Sequence, residues 1–377
     1  MRAVLHIGAP KSGTSAIQRW LATAGADLAA AGVLYPDAGR VLPLRTEERH
    51  VGFRFAFADP DRPPDGLMPR HKLTGPAALR DHARRFVEAF DAEVRRAAPE
   101  VVAISDEALF IFADDGTIAR ARAFLRDRFD RVDVVVTLRH PVDYVRGVYS
   151  QRIKTGGLTG IDFARDHVFR QGIYLHRLAR WKAAFGDDLA VHVLTGDARA
   201  LMLRHLPPLP LPEVEGPPVN PSLTAFGAAV MLELNRRYQG RDRPRGIKTA
   251  FEGTMTGAPF RLRPGTVAAV WRKFDAEREA LLDGYIAAGP DADAVRTLWR
   301  PAPATEPAPL PDPEEVRQVC DLLVHVTDEA AAREARLARG LKARLKEIAA
   351  LRGEADAAGG RAERSGGGLL RRFLSRA

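Results

Sequence analysis

The chain has 377 residues, 46% of them apolar and 28% charged, enough for one large or two modest domains with a substantial buried core. It holds no run of about 18 apolar residues and only one cysteine, which excludes a membrane-spanning helix and an internal disulfide. The net charge of +9 is uneven: residues 331–377 carry twelve Lys/Arg against five Asp/Glu, which leaves the body at +2 and gives no reason to expect nucleic-acid binding there.

Arg2–Gly8 is apolar with β-branched members and ends in glycine, which predicts a buried strand. It lacks the longer apolar region and cleavage site of a secretory signal, so a cytoplasmic protein is expected. Thr14–Ala30 carries Ile17, Trp20 and Leu21 at helical spacing, and Gly32–Pro36 reads as a short second strand. Arg40–Pro76 is rich in Pro, Arg and Asp and predicts loop with a short helix at most. Pro76–Ala97 is helical, Val101–Ser105 a strand, and Asp115–Arg128 a helix. Val132–Leu138 is almost wholly β-branched, the kind of run a parallel sheet buries on both faces. Pro141–Lys154 and Gly172–Phe185 are helical, and Leu189–Leu194 is a further strand. This alternation predicts a doubly wound α/β domain. After the proline-dense loop Pro207–Pro221, helices dominate: Leu223–Arg237, Pro264–Ala288 and Glu314–Leu351. Cys320 falls in an apolar helical pattern and reads as a buried structural thiol. The expected division is an α/β domain with a helical extension over residues 1–300, a helical and coiled-coil-like segment over 301–358, and a flexible basic tail over 359–377.

The most informative segment is Gly8-Ala9-Pro10-Lys11-Ser12-Gly13-Thr14-Ser15, between the first strand and the first helix. A glycine-bearing turn there aims backbone N–H groups into one concavity at a helix N-terminus, where the macrodipole favours an anion. Lys11 adds a mobile positive charge, and Ser12, Thr14 and Ser15 add hydroxyl donors, so the segment suits phosphate or sulfate. The nucleoside-triphosphate loop G-x-x-x-x-G-K-[ST] shares the glycine spacing. Here, however, Thr14 holds the lysine position, and Val132–Leu138 runs into Arg139 rather than into an acidic metal ligand. A kinase or NTPase would lack both its γ-phosphate lysine and its metal carboxylate.

Pro10-Lys11-Ser12-Gly13-Thr14-Ser15 resembles the 5′-phosphosulfate loop of the sulfotransferases that use PAPS (3′-phosphoadenosine 5′-phosphosulfate), P-K-[ST]-G-T-T. The strand before it and Ile17-Gln18 after it are similar to bacterial, glycan-acting members. The resemblance implies a P-loop-like sulfotransferase α/β fold and PAPS as donor with no metal. It also implies that Lys11 is catalytic and binds the donor together with Ser12, Gly13, Thr14 and Ser15.

The family's second motif, for the 3′-phosphate, is a strand ending in arginine with a serine eight residues later. Val132–Leu138 with Arg139 matches the first half, and a guanidinium offers phosphate a forked donor. The second half departs, because the eighth residue is Gly147; Ser150, one helical turn on, is the substitute candidate, with Tyr149 or a water as others. For the base that takes the acceptor proton, Glu107 in Ser105-Asp106-Glu107 is the candidate, just past a parallel strand's carboxyl end. Similar bacterial enzymes carry S-x-E there. Asp106, His6, His50 and His140 are the alternatives, with His6 inside a strand reading as core.

Gly172-Ile173-Tyr174 with Leu178 and Trp181 resembles the family's G-x-Y-x-x-x-L-x-x-W helix, and Asn220-Pro221-Ser222-Leu223 its N-x-S-L helix start. The likeness spans roughly Met1–Ile286. The expected activity is sulfuryl transfer to a hydroxyl, with a glycan or glycolipid acceptor. A nucleotide kinase, or a non-catalytic nucleotide- or glycan-binding protein of the same fold, is the alternative. The basic Leu369–Leu374 segment, amphipathic after a glycine hinge, suggests peripheral contact with an anionic membrane.

Overall fold

Five short apolar runs assemble into one all-parallel sheet: β1 (Arg2–His6), β2 (Val33–Leu34), β5 (Val101–Ser105), β6 (Arg131–Leu138) and β7 (Leu189–Val193), in the order β2-β5-β1-β6-β7. The structure is a computed structural model that describes residues 1–42, 45–61, 73–210, 223–239, 257–301 and 311–326, with single helical positions at 328, 336, 337 and 339. Between β2 and β5 lies a small antiparallel pair, β3 (Val41–Leu42) and β4 (Arg45–Thr46). The chain divides into two compact units, Met1–Gln239 with Lys248–Leu310, and Gly240–Ile247 with Pro311–Ala377.

Period-two alternation explains why the central strands are apolar throughout. Leu5, Val102, Ile104, Val134 and Val136 point into one buried cluster, while Val4, Val101, Ala103 and Val135 point into another across the sheet. The helices around the sheet are α1 (Thr14–Thr23), α2 (Gly25–Ala30), α3 (Val51–Ala56), α4 (Pro76–Ala97), α5 (Ala108–Phe112), α6 (Asp115–Arg126), α7 (Pro141–Lys154), α8 (Leu175–Phe185) and α9 (Ala198–Leu203). Three more follow: α10 (Ala225–Arg237), α11 (Pro264–Gly284) and α12 (Pro290–Thr297). The expected α/β class, a parallel sheet flanked by helices, is the one observed.

From β1 the chain moves out to β2, returns through β5, and only then crosses to β6 and β7. The winding therefore reverses at β1, and the crevice of such a sheet opens at the carboxyl ends beside that switch. Register fixes which residues meet there, since His6 of β1 stands opposite both Ser105 of β5 and Val135 of β6. Residues 8–15, 106–107 and 139 follow these strand ends directly.

Some boundaries differ from the sequence reading. The helix expected over Thr14–Ala30 breaks at Ala24, ahead of Gly25. The expected Gly172–Phe185 helix begins only at Leu175, because the buried Glu277 of α11 accepts from the backbone N–H groups of Ile173 (2.6 Å) and Tyr174 (2.9 Å). Arg40–Pro76 holds β3, β4 and α3 within its described part, more structure than its composition suggested. In the second unit Cys320 is buried, as its apolar helical pattern predicts. Asn220–Ser222, most of the 337–351 apolar stripe and the 359–377 tail lie outside the described residues. No helix among the described residues is long and apolar enough to cross a membrane.

Candidate functional site

The loop after β1 first prolongs the sheet. Ile7 N–H donates to Val135 O (2.9 Å) and Ala9 N–H to Thr137 O (3.0 Å), so one limb of the loop is laddered onto β6. It then turns sharply, with Lys11 at φ 69° and Gly13 at φ 83°. Glycine adopts that region freely, and Gly13 also has no room for a Cβ beside Ala198 of α9. Lysine does not, and a lysine held left-handed marks a conformation imposed by its surroundings. Ser12 helps impose it, since its N–H (3.2 Å) and its Oγ (2.5 Å) both donate to Ala9 O. The Ser12 hydroxyl is thus a brace of the loop. Thr14 and Ser15 open α1, Thr14 buried and Ser15 half-buried.

Arg139, immediately after β6, reaches the same loop, its Nη1 donating to Lys11 O at 2.9 Å. Its own carbonyl accepts from the Tyr174 hydroxyl, so the arginine is anchored from behind. Among the half-buried positions of α7, Asp143, Gly147, Ser150 and Gln151 recur at the spacing of one helical face. The Lys11 side chain lies along that face: a Cβ on Gly147 would stand 2.8 Å from Lys11 Cγ and 2.9 Å from Lys11 Cβ. Its Nζ donates to Gln151 Oε1 at 3.0 Å. Lys11, Arg139, Gly147 and Gln151 therefore form one cluster, with Ser150 half-buried beside Gln151.

Glu107 belongs to a neighbouring group. A cleft of about 250 Å³ is lined by Ser15, Gln18, Thr46, Glu47, Glu48, Arg49 and Glu107. Glu107 Oε2 accepts from Gln18 Nε2 at 2.6 Å and Oε1 from Arg49 Nη1 at 3.0 Å. Ser15 at the start of α1 is thus shared between the loop and this cleft.

The other candidate bases stand differently. Asp106 is wholly buried and does not line the cleft; burial raises its pKa to about 6, with Arg49 and Arg54 opposing. His50 is buried with both ring nitrogens engaged, Nδ1 accepting from Ser105 N–H (3.1 Å) and Nε2 donating to Pro36 O (2.9 Å). Burial lowers its pKa to about 3. His140 packs edge-on against Trp271 and Trp299. His6 is buried, with Nδ1 2.8 Å from Ser105 Oγ and a pKa that burial lowers to about 4.

Leu178 and Trp181 of α8 are core residues, and Gly172 has no room for a Cβ beside Glu277. Arg49 and Gln151 carry no signal in the sequence taken alone. Gln151 is one residue past the singled-out Ser150, on the face Gly147 begins, whereas Arg49 sits in an aperiodic loop brought in by tertiary packing.

No protein-family model matches the sequence, and no curated protein matches it. Among solved structures, a sulfotransferase from Alicyclobacillus acidocaldarius is similar at 16% identity over 74% of this chain and 94% of that one, with a TM-score of 0.38.

Proposed function

We propose that this protein is a sulfotransferase that moves a sulfuryl group from PAPS to an acceptor hydroxyl, on a carbohydrate or glycolipid. The observation that carries the proposal is the loop Gly8–Ser15 at the switch point, with Lys11 held left-handed and Arg139 bonded to its carbonyl. Thr14, buried where a nucleoside-triphosphate loop has its lysine, favours this over a kinase.

In this reading the N–H groups opening α1 receive the 5′-phosphosulfate, and Arg139 serves the 3′-phosphate. An acceptor hydroxyl in the cleft attacks sulfur in line. The new acceptor O–S bond forms as the S–O bond to the 5′-phosphate breaks, and the hydroxyl proton passes to a Glu107 carboxylate oxygen. The released electron pair stays on the phosphate oxygen of 3′-phosphoadenosine 5′-phosphate, where Lys11 neutralises charge that grows only as the bond breaks. Glu107 lines the cleft while Asp106 is sealed beneath it, which supports Glu107 as the base. The cleft's polar lining suits a hydroxyl-rich acceptor.

Calorimetry should show 3′-phosphoadenosine 5′-phosphate binding without divalent metal, and Mg²⁺–ATP giving no comparable heat. Incubation with PAPS and glycan or glycolipid pools should yield products heavier by one sulfuryl group in the mass spectrum. Lys11→Met should slow transfer roughly 100-fold or more, the scale of losing one transition-state charge stabiliser. Binding of Mg²⁺–ATP with no response to the bisphosphate would reject the reading.

A further inference from the structure

A buried chain of hydrogen bonds joins the floor of the proposed donor loop to the proposed base. Gln18 Nε2 donates to Glu107 Oε2 at 2.6 Å and to Ser105 Oγ at 3.2 Å, and Ser105 Oγ lies 2.8 Å from His6 Nδ1. Sheet register places His6 beside Ser105 on adjacent strands, and His6, Ser105 and Gln18 are all buried. The far ring nitrogen, His6 Nε2, is buried without a hydrogen-bond partner among the described residues. A Cβ on Gly8 would stand 2.6 Å from it, so the ring lies against the first glycine of the loop.

The chemistry of each group favours one proton order over the other. A carboxylate only accepts, so the amide of Gln18 must turn its nitrogen to Glu107. Its two hydrogens are then spent on Glu107 and Ser105. Ser105 Oγ accepts from Gln18 and finds an acceptor for its own hydrogen in His6 Nδ1, whereas the opposite tautomer would leave both that hydrogen and the Nε2 lone pair unspent among the described residues. The imidazole proton is left on Nε2, against Gly8. Turning the Gln18 amide over would set its carbonyl against the carboxylate and reverse the order.

We propose that His6, Ser105 and Gln18 are positioning residues that hold the Glu107 carboxylate from the floor of the donor loop, with one fixed proton order along the chain. The inference rests on the proposed function in taking Glu107 as base and Gly8–Ser15 as donor loop. It adds that base and loop share one support, so that an anion drawing on the loop's amides acts on the ring against Gly8 and, through Ser105 and Gln18, on the carboxylate.

The test is ¹⁵N-histidine NMR on the full chain, with and without 3′-phosphoadenosine 5′-phosphate. His6 should be the neutral Nε2–H tautomer, and its Nε2 signal should move when the bisphosphate binds. Gln18→Met and Ser105→Ala should each mix or invert the tautomer, and Ser105→Thr, which keeps the hydroxyl, should restore it. With PAPS, Gln18→Met and Ser105→Ala should lower kcat about tenfold while the bisphosphate Kd stays within about twofold. An Nδ1–H tautomer in the unmodified protein, or an unchanged tautomer in both folded variants, would overturn the proposal. So would an equal loss of binding and turnover, which is the signature of packing alone. Should Gln18→Met fail to fold, Ser105→Ala decides. The tautomer is read without turnover, so absence of bisphosphate binding refutes the proposed function while the spectrum still judges the chain.

Discussion

The resemblance would put a serine at Gly147, and the Lys11 side chain leaves no room for one. Any Cβ at 147 would press on Lys11 Cγ and on Lys11 Cβ, and the latter moves only if the loop moves with it. Introducing that serine should therefore harm the proposed site. Gly147→Ser is expected to weaken 3′-phosphoadenosine 5′-phosphate binding roughly tenfold, the scale of a modest overpacking cost, and Gly147→Ala should do the same because the conflict is steric. Calorimetric titration of both variants checks this, and tighter binding by the serine variant alone would show instead that a hydroxyl was missing. The placement of Lys11, Glu107 and Arg139 within a few residues of strand ends was legible in the sequence, because local pattern and topology agree there. Gln18, Arg49 and Gln151 acquire their contacts from partners 57–140 residues away, and no local spacing encodes that.

At the scale of elements, the strands were the most readable part, since runs buried on both faces of a sheet leave a nearly unbroken apolar signature. The start of α8 shows why other boundaries were not. Gly172-Ile173-Tyr174 looked like the opening of a helix, but the amides of Ile173, Tyr174 and Leu175 are turned toward the carboxylate of Glu277, about a hundred residues later in α11. Gly172, at φ 129°, leaves the space that the carboxylate fills. Tyr174 then fixes the Arg139 carbonyl, so this distant acid also steadies the proposed 3′-phosphate clamp. Glu277→Ala would strand the amides of Ile173 and Tyr174 in the core and should destabilise the fold by about 3 kcal/mol, since each unsatisfied buried donor costs about 1–3 kcal/mol. Gly172→Ala, forcing a Cβ into the same space at an unfavourable φ, should destabilise comparably. Urea denaturation of each variant measures the loss, and a double variant costing much less than the two single costs added together would show that both act on one contact.

For the molecule as a whole, buried ionisable groups around the sheet's carboxyl edge set the response to acid. His6 and His50 are held neutral by burial, their pKa values lowered from 6.5 to about 4 and about 3. The unfolded chain takes up those protons near pH 6.5, whereas the folded chain resists until pH 4 or below. The stability contributed by these rings is thus complete above 6.5 and is lost as pH falls from 6.5 toward 4. By pH 4 each ring accounts for on the order of 3 kcal/mol, because every tenfold weakening of proton binding on folding is worth about 1.4 kcal/mol. The half-buried His176 and His205, both lowered to about 4, act in the same direction. Asp106 opposes them. Its pKa is raised from 3.8 to about 6, so its ionised form costs stability above pH 6, and that cost is relieved as pH falls toward 4. The histidines outnumber it, and unfolding free energy should decline through pH 6.5–4. Removing Asp106 exposes the histidines' effect: Asp106→Asn should lose stability more steeply than the unmodified protein between pH 6 and 4. Urea titrations at half-unit pH intervals give both slopes. Parallel curves would mean that Asp106 ionises in the fold as it does in the unfolded chain, with the guanidinium groups of Arg49 and Arg54 cancelling the effect of its burial.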